Sequence, residues 1–310
     1  MGMDSPFSLY FSLCPLYTVL MRALLDKSFK LIIALLTALA FLALGFVLFF
    51  IVKESLPLFE EVPLTEFLFG QRWMPIAMVG ETSFGIFNFI MSTLYVSLLA
   101  MVFATVLGVG AAVFLSCVAS EKARSLLYPC IDLLAGIPSV IYGFIGLVTL
   151  VPLFRKFGVQ TGACVLAAAI LLAVMLLPYM ISSCSETILK AKNRYLPASD
   201  ALGVSGWYGI AKVILPASRA NILLSMILAV GRAMGETMAV MMVIGNANLF
   251  PTLLGKGESI AGLIALEMGT AEAGSLHYHA LFAAGLVLMV LLMLIHGGIG
   301  ALRSRLMKEV

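Results

Sequence analysis

The sequence predicts an all-α polytopic membrane protein with six transmembrane helices, on three observations. Of 310 residues, 62% are hydrophobic and 11% charged, whereas ordinary soluble domains carry roughly 25% charged residues. Cutting the chain at every Asp, Glu, Lys and Arg leaves uncharged runs at 31–52, 82–120, 133–154, 157–185 and 273–302, and a sixth apolar stretch, 220–255, holds Arg232 and Glu236. Each run can hold the roughly 20 residues that cross a bilayer. Finally, Lys and Arg alternate in density from one connection to the next. Such a composition excludes a disordered chain and a disulfide-stapled module, and the net charge of +3 excludes a nucleic-acid binder.

Taken in order, residues 1–30 are expected to form a cytoplasmic tail. Residues 1–20 contain no positive charge and so lack the basic start of a secretory signal; Met21, followed at once by Arg22, is an alternative start. The spans are expected at 31–52, 86–118, 133–154, 162–183, 220–244 and 278–301, within one transmembrane domain, 31–302, followed by a cytoplasmic tail, 303–310. The outer loop from Lys53 to Glu81 has two basic and five acidic residues, with Pro57, Pro63 and Pro75 limiting regular structure. The third span opens with Gly136, Ile137, Pro138 and Ser139, where proline can kink a helix and free a carbonyl. Gly143 and Gly146 admit a close neighbour, and Ser139 and Tyr142 are candidates to line a path. The fourth and fifth spans are joined by 186–219, far longer than a hairpin requires.

Basic residues in short loops stay in the cytoplasm. Arg22, Lys27, Lys30, Lys122, Arg124, Lys190, Lys192, Arg194, Lys212, Arg219, Arg303, Arg305 and Lys308 fall on one side, and Lys53, Arg72, Arg155, Lys156 and Lys256 on the other. Both termini are therefore expected in the cytoplasm. The five cysteines (Cys14, Cys117, Cys130, Cys164, Cys184) form no CxxC and suit packing between helices. His277 and His279 near Glu272 are expected to face water, without a metal.

The fifth span carries the sequence's strongest functional signal. Arg232 and Glu236 stand four residues apart, so on an unbroken helix they share a face and can pair. An arginine at the bilayer centre costs about 2.5 to 3.5 kcal/mol, so both groups should face the bundle interior or a watery cavity. An ionic pair in lipid is weak evidence of stability and better evidence of work. A guanidinium binds oxyanions with a planar fork. The carboxylate repels a fully ionised oxyanion such as sulfate, yet accepts a hydrogen bond from one that retains a proton, as hydrogenphosphate does. Gly231 and Gly235 form a GxxxG beside the pair.

Two resemblances extend this reading. The long connection reads LPASDALGVSGWYGIAKVILPAS, and its spacing is similar to the cytoplasmic EAA signature of ABC importer permeases, matched here by Ala198, Ser199, Gly203, Val213, Leu215 and Pro216. Pro197 stands where that family usually has glutamate. In the family this segment is a coupling helix seated in a groove of the ATPase. The stretches GIPSVIYGFIGL and GRAMGETMAV, with the tract SIAGLIALEMG, resemble the phosphate-specific ABC importer permease, and the ETMAV ending resembles its C-type subunit. The resemblance runs from about Lys27 to the C-terminus. It implies a type I ABC importer permease fold, a heterodimer with a sister permease, a cytoplasmic ATPase dimer, a periplasmic phosphate-binding protein and a bacterial inner-membrane location. By the same resemblance, Arg232 and Glu236 lie on the substrate path.

The chain has no GxxxxGK[ST] phosphate loop. ATP and magnesium therefore belong to the partner ATPase, and no cofactor is expected in this chain. The alternatives are a permease for molybdate or sulfate and a secondary anion transporter.

Overall fold

The computed structural model describes residues 7–76 and 82–308. The expected start at Met1 and Glu81 of the outer loop lie outside the described residues. The chain divides into two units, 1–53 and 54–310. Six helices are long and apolar enough to cross a membrane: Lys27–Glu61, Phe87–Val118, Ser139–Lys156, Val165–Ala201, Gly206–Gly235 and Leu276–Ala301.

The first unit holds nearly all of helix α1 (Phe7–Ser55). From Phe29 to Phe50 its Phe, Leu, Ile and Val side chains are exposed on every face. A helix that is apolar all round suits lipid rather than water. Its one hydroxyl in this stretch, on Thr37, donates to the Ile33 carbonyl at 2.8 Å and so needs no outside partner.

The second unit opens with two short helices, α2 (Leu58–Glu61) and α3 (Leu64–Phe69), and a minimal hairpin of β1 (Trp73–Met74) against β2 (Ser83–Phe84). The outer loop is thus more ordered than its prolines suggest. Leu58, Phe67, Trp73, Phe84 and Phe89 are buried with Ile260, Leu263 and Leu281 in one apolar cluster.

Helix α4 (Phe87–Val113) ends in a π-helical turn, Phe114–Val118. Its buried stripe repeats every four residues, Val96, Ala100, Ala104, Gly108 and Ala112, so its small side chains form one flat face. Helix α7 (Val165–Ala201) lies against it, with the Met180 Cβ 2.8 Å from where a Cβ on Gly108 would stand. Small residues let helices approach closely where no hydrophobic effect drives them together. At the other end Arg124 donates to the Leu115 and Ser116 carbonyls at 2.9 and 3.1 Å, and Lys192 to Ser116 at 3.0 Å. Cations on the last carbonyls satisfy groups that the helix itself leaves open.

Residues 121–135 form a separate exposed helix, α5 (Glu121–Ala135), so the third span begins later than expected, as α6 (Ser139–Lys156). After α7 come α8 (Gly206–Gly209), a π-helical turn, Ile210–Ile214, and α9 (Leu215–Gly235). Two short helices follow, α10 (Met238–Ile244) and α11 (Ile260–Glu267), and then α12 (Leu276–Lys308). The core is α7 wrapped by α4, α6, α9 and α10. Cys184 packs inside it as expected, and Cys164 is buried in a small separate cluster with Val159 and Ala167, where its thiol also caps α7 by accepting from the Ala167 N–H at 3.4 Å; Cys130 departs from the expectation and is exposed.

The histidines of the outer loop do not face water. His277 is 7% exposed, and its Nε2 meets the Glu267 carboxylate at 2.8 Å, which also accepts from the Trp73 indole at 2.8 Å. His279 Nδ1 meets the Glu54 carbonyl at 2.7 Å. Aromatic packing around Trp73 carries the histidine inward, and the glutamate follows because a buried ring nitrogen needs a partner. Among the described residues no metal-binding cluster occurs.

Glu258, just before α11, is 8% exposed. Burial, and next the charge of Glu267, push its carboxyl up to about 7. The folded chain thus holds this proton more tightly than the unfolded chain, where glutamate titrates near ~4.3. The stability it contributes is complete below that lower value and is lost as pH rises toward about 7. The melting temperature in detergent is expected to fall between pH 5 and pH 8, and Glu258→Gln, neutral throughout, to flatten that slope. Equal slopes in both proteins would show that another group titrates.

Candidate substrate path and coupling surface

The motif GRAMGETMAV does not form one continuous helix. Helix α9 ends at Gly235, Glu236 is extended at φ −73° and ψ 113°, and α10 begins at Met238. Arg232 and Glu236 therefore do not stack on one face, and among the described residues no ion pair joins them. The reason is local. Glycine is a poor helix former, and the next residue offers a carboxylate that caps a new helix: Glu236 Oε1 accepts from the Ala239 N–H at 3.3 Å. Each charge instead meets a helix end of suitable sign, Arg232 in the last turn of α9 and Glu236 before the first turn of α10.

Arg232 is exposed and Glu236 half-buried. Glu236 shares a cavity of about 10 Å³ with Thr93, Ser97 and Ser259 and with the apolar Val96, Met234 and Val240. Of the expected GxxxG, only Gly231 receives a neighbour: the His296 ring on α12 comes within 2.5 Å of where its Cβ would stand, while nothing lies within 4 Å at Gly235.

The two sequence motifs that resemble one family pack on one another. A Cβ on Gly143 of α6 would lie 2.9 Å from the Ala239 Cα and 2.7 Å from the Met242 sulfur of α10, and one on Gly146 would meet Val243 at 3.0 Å. Tyr142 is buried beside them, within the electrostatic field of Arg232. Its hydroxyl donates to the Leu134 carbonyl at 2.8 Å, tying α6 back to α5. Ser139 stands in the first turn of α6, right after the proline that starts it.

The residues expected to couple gather at the other end of α9. About half of the expected loop, 186–201, is a continuation of α7 and not a loop; Pro197 lies inside that helix. The helix stops in a Schellman turn: Gly203 takes φ +70°, the Val204 N–H donates to Ser199 at 3.1 Å, and the Gly203 N–H to Asp200 at 3.0 Å. Ala198 is exposed on the last turns of α7, while Ser199 is buried, its Cβ 3.7 Å from where one on Gly209 would stand. Ser205 caps α8 by accepting from Tyr208 at 3.4 Å. Leu215 and Pro216 open α9, with the proline where a missing N–H costs nothing. The turn projects Leu202, Trp207 and Tyr208, which are 81%, 70% and 56% exposed. Three large apolar groups on one tight turn make a surface suited to a protein partner.

The family described as binding-protein-dependent transport system inner membrane component matches residues 104–308. A probable ABC transporter permease, YqgH of Bacillus subtilis, is 36% identical over 228 residues, 73% of each chain. The phosphate transport system permease protein PstC of Xylella fastidiosa is 34% identical over 292 residues, 86% of each chain. Among solved structures, a chain of a bacterial ABC transporter involved in alginate import superposes with a TM-score of 0.60 at 15% identity, covering 87% of this chain and 95% of that one. The first two carry the family and the third the fold. A chain with six candidate spans, a broken helix beside its two packed motifs and an apolar turn at one end is thus a multi-pass ABC importer permease, and it belongs to the binding-protein-dependent transport system inner membrane components, among the PstC-type permeases.

Proposed function

We propose that this chain is the permease subunit of an ATP-driven phosphate importer and forms half of its translocation path. The observation that carries the reading is the pairing of an exposed Arg232 with a separate, half-buried Glu236 across a helix break. Held apart, the two do not neutralise one another. A guanidinium fork is available to the anion's oxygens, and a carboxylate is available to its P–O–H hydrogen. The oxyanion that satisfies both is one that keeps a proton at neutral pH. Sulfate satisfies only the arginine. Ser139 and Tyr142 of α6 form the adjoining wall.

Exposure of Arg232 in the single chain fits a path completed by a second subunit, since a group lining a shared path is uncovered in either half alone. The sister permease supplies the other wall. Nucleotide energy comes from an ATPase dimer that grips the turn formed by Ala198, Ser199, Gly203, Leu215 and Pro216, and a phosphate-binding protein delivers the anion from outside. Both termini lie in the cytoplasm, in keeping with the thirteen basic residues counted on that side. The chain carries no ATP-hydrolysing site of its own.

The test is uptake by the full complex in vesicles supplied with ATP. Labelled inorganic phosphate is expected to accumulate, and sulfate and molybdate are not. Accumulation of either competitor in place of phosphate would refute the assignment of substrate, and flux through this chain alone would refute the importer.

A further inference from the structure

The anion site described so far has a cation and an acceptor, and its adjoining wall offers the Ser139 hydroxyl as one neutral donor. A dianion held by one guanidinium keeps acceptor lone pairs that want hydrogens, and in a site screened from water these must come from the protein. Tyr142 is near, but its single hydroxyl hydrogen is engaged by the Leu134 carbonyl at 2.8 Å.

A second phenol lies across the helix interface. Helices α7 and α9 form an antiparallel pair whose register is set at two points. Ser199 packs on Gly209 at the turn, and the Ser183 and Ser225 hydroxyls hydrogen-bond at 2.6 Å. Sixteen residues separate Ser183 from Ser199 and sixteen separate Gly209 from Ser225, so the two segments run antiparallel over closely matched lengths, the π-helical turn Ile210–Ile214 taking up the small difference, and the Ser183–Ser225 contact fixes the register beyond it. Extended by one turn, it sets Tyr179 of α7 level with Ala229 of α9, and Leu176 level with Arg232. Tyr179 and Ser183 are four apart and share the face of α7 that meets α9. Arg232 is seven residues, two turns, beyond Ser225 and shares the corresponding face of α9.

Side chains on a helix lean toward its N-terminus. On antiparallel helices that lean brings Arg232 down and Tyr179 up, toward each other. The axial offset between their Cα atoms, about three residues or roughly 4.5 Å, lies well within the reach of an arginine and a tyrosine that lean together. Tyr179 is half-buried, and among the described residues its hydroxyl has no hydrogen-bond partner.

We infer that Tyr179 is a substrate-contacting residue that donates its phenolic hydrogen to the anion gripped by Arg232. The inference rests on the proposed function. It divides recognition into three parts: Arg232 supplies charge, Tyr179 a donor for any oxyanion, and Glu236 the acceptor that favours a protonated one.

The experiment is Tyr179→Phe in the complete complex, which keeps the ring and removes the hydroxyl. Loss of a hydrogen bond to a charged group corresponds to roughly a tenfold to hundredfold drop. Labelled phosphate uptake is expected to fall at least about tenfold, with co-purification of the ATPase and binding-protein-stimulated hydrolysis retained. Tyr179→His, which restores a donor, is expected to recover part of the uptake, and Tyr278→Phe, whose ring packs on Phe282 near the start of α12, to behave as wild type. Wild-type uptake by Tyr179→Phe while Arg232→Ala is inactive overturns this inference and leaves the proposed function standing. Wild-type uptake by both, or no phosphate uptake by the native complex, overturns the proposed function itself. Failure of both Tyr179 variants to assemble would make the residue structural and the inference wrong.

Discussion

Arg232→Ala is expected to reduce phosphate uptake by the reconstituted complex about a hundredfold or more, with assembly intact. The magnitude follows from a fork that makes two charge-assisted hydrogen bonds, each worth about 1.5 to 3 kcal/mol, where 1.36 kcal/mol is one factor of ten. Assembly should survive because the structure gives Arg232 no ion pair to lose among the described residues, and its side chain is exposed. Arg232→Lys separates charge from shape. It keeps the attraction but loses the fork, and so should recover part of the uptake at most. Uptake and co-purification of the ATPase check the two limbs together: loss of both would make the arginine a structural residue.

The second large effect is expected at the opposite end of the same helix pair. Gly203→Val is expected to let ATP hydrolysis continue while uptake per ATP falls sharply. Nothing lies within 4 Å of the position of an added Cβ, so the substitution meets no steric obstacle. The cost is one of conformation. Gly203 takes φ +70°, which costs an L-residue about 1 to 2 kcal/mol and is worst for a β-branched one. Relaxing that strain unwinds the Schellman turn and moves Leu202 and Trp207 away from the docked position. Gly203→Asn, which tolerates left-handed geometry, should stay coupled. Failure of the asparagine variant alongside the valine would point to the side chain itself, and equal coupling in both would remove the turn from the coupling mechanism.

The six spans were legible because lipid enforces a rule that sequence displays directly: long runs without charge become helices that satisfy their own backbones. The helix stop at Gly203 was legible for a similar reason, since glycine at such a stop is a local requirement. The break at Gly235 was not. Four-residue spacing predicts a shared face only while the helix continues, and no periodicity announces that Glu236 will cap the next helix in place of bonding the previous one. Tyr179 was hidden for a different reason. It is one apolar-flanked residue in a long run, and its meaning depends on the register between α7 and α9, which the Ser183–Ser225 contact sets from 42 residues apart. His277 was misjudged because its burial comes from Trp73 and Phe84, far away in the chain.

Helix α7 runs unbroken through two prolines for 37 residues. From Tyr179 to Ala201 that is about 33 Å of rod. A tilt of about 5° pivoting near the tyrosine would sweep the far tip at Ala201 through about 3 Å, comparable to the width of an atom. If a partner docks at that tip as proposed, its movement would work with mechanical advantage, converting a coarse push into the fine adjustment that grips or frees a single ion.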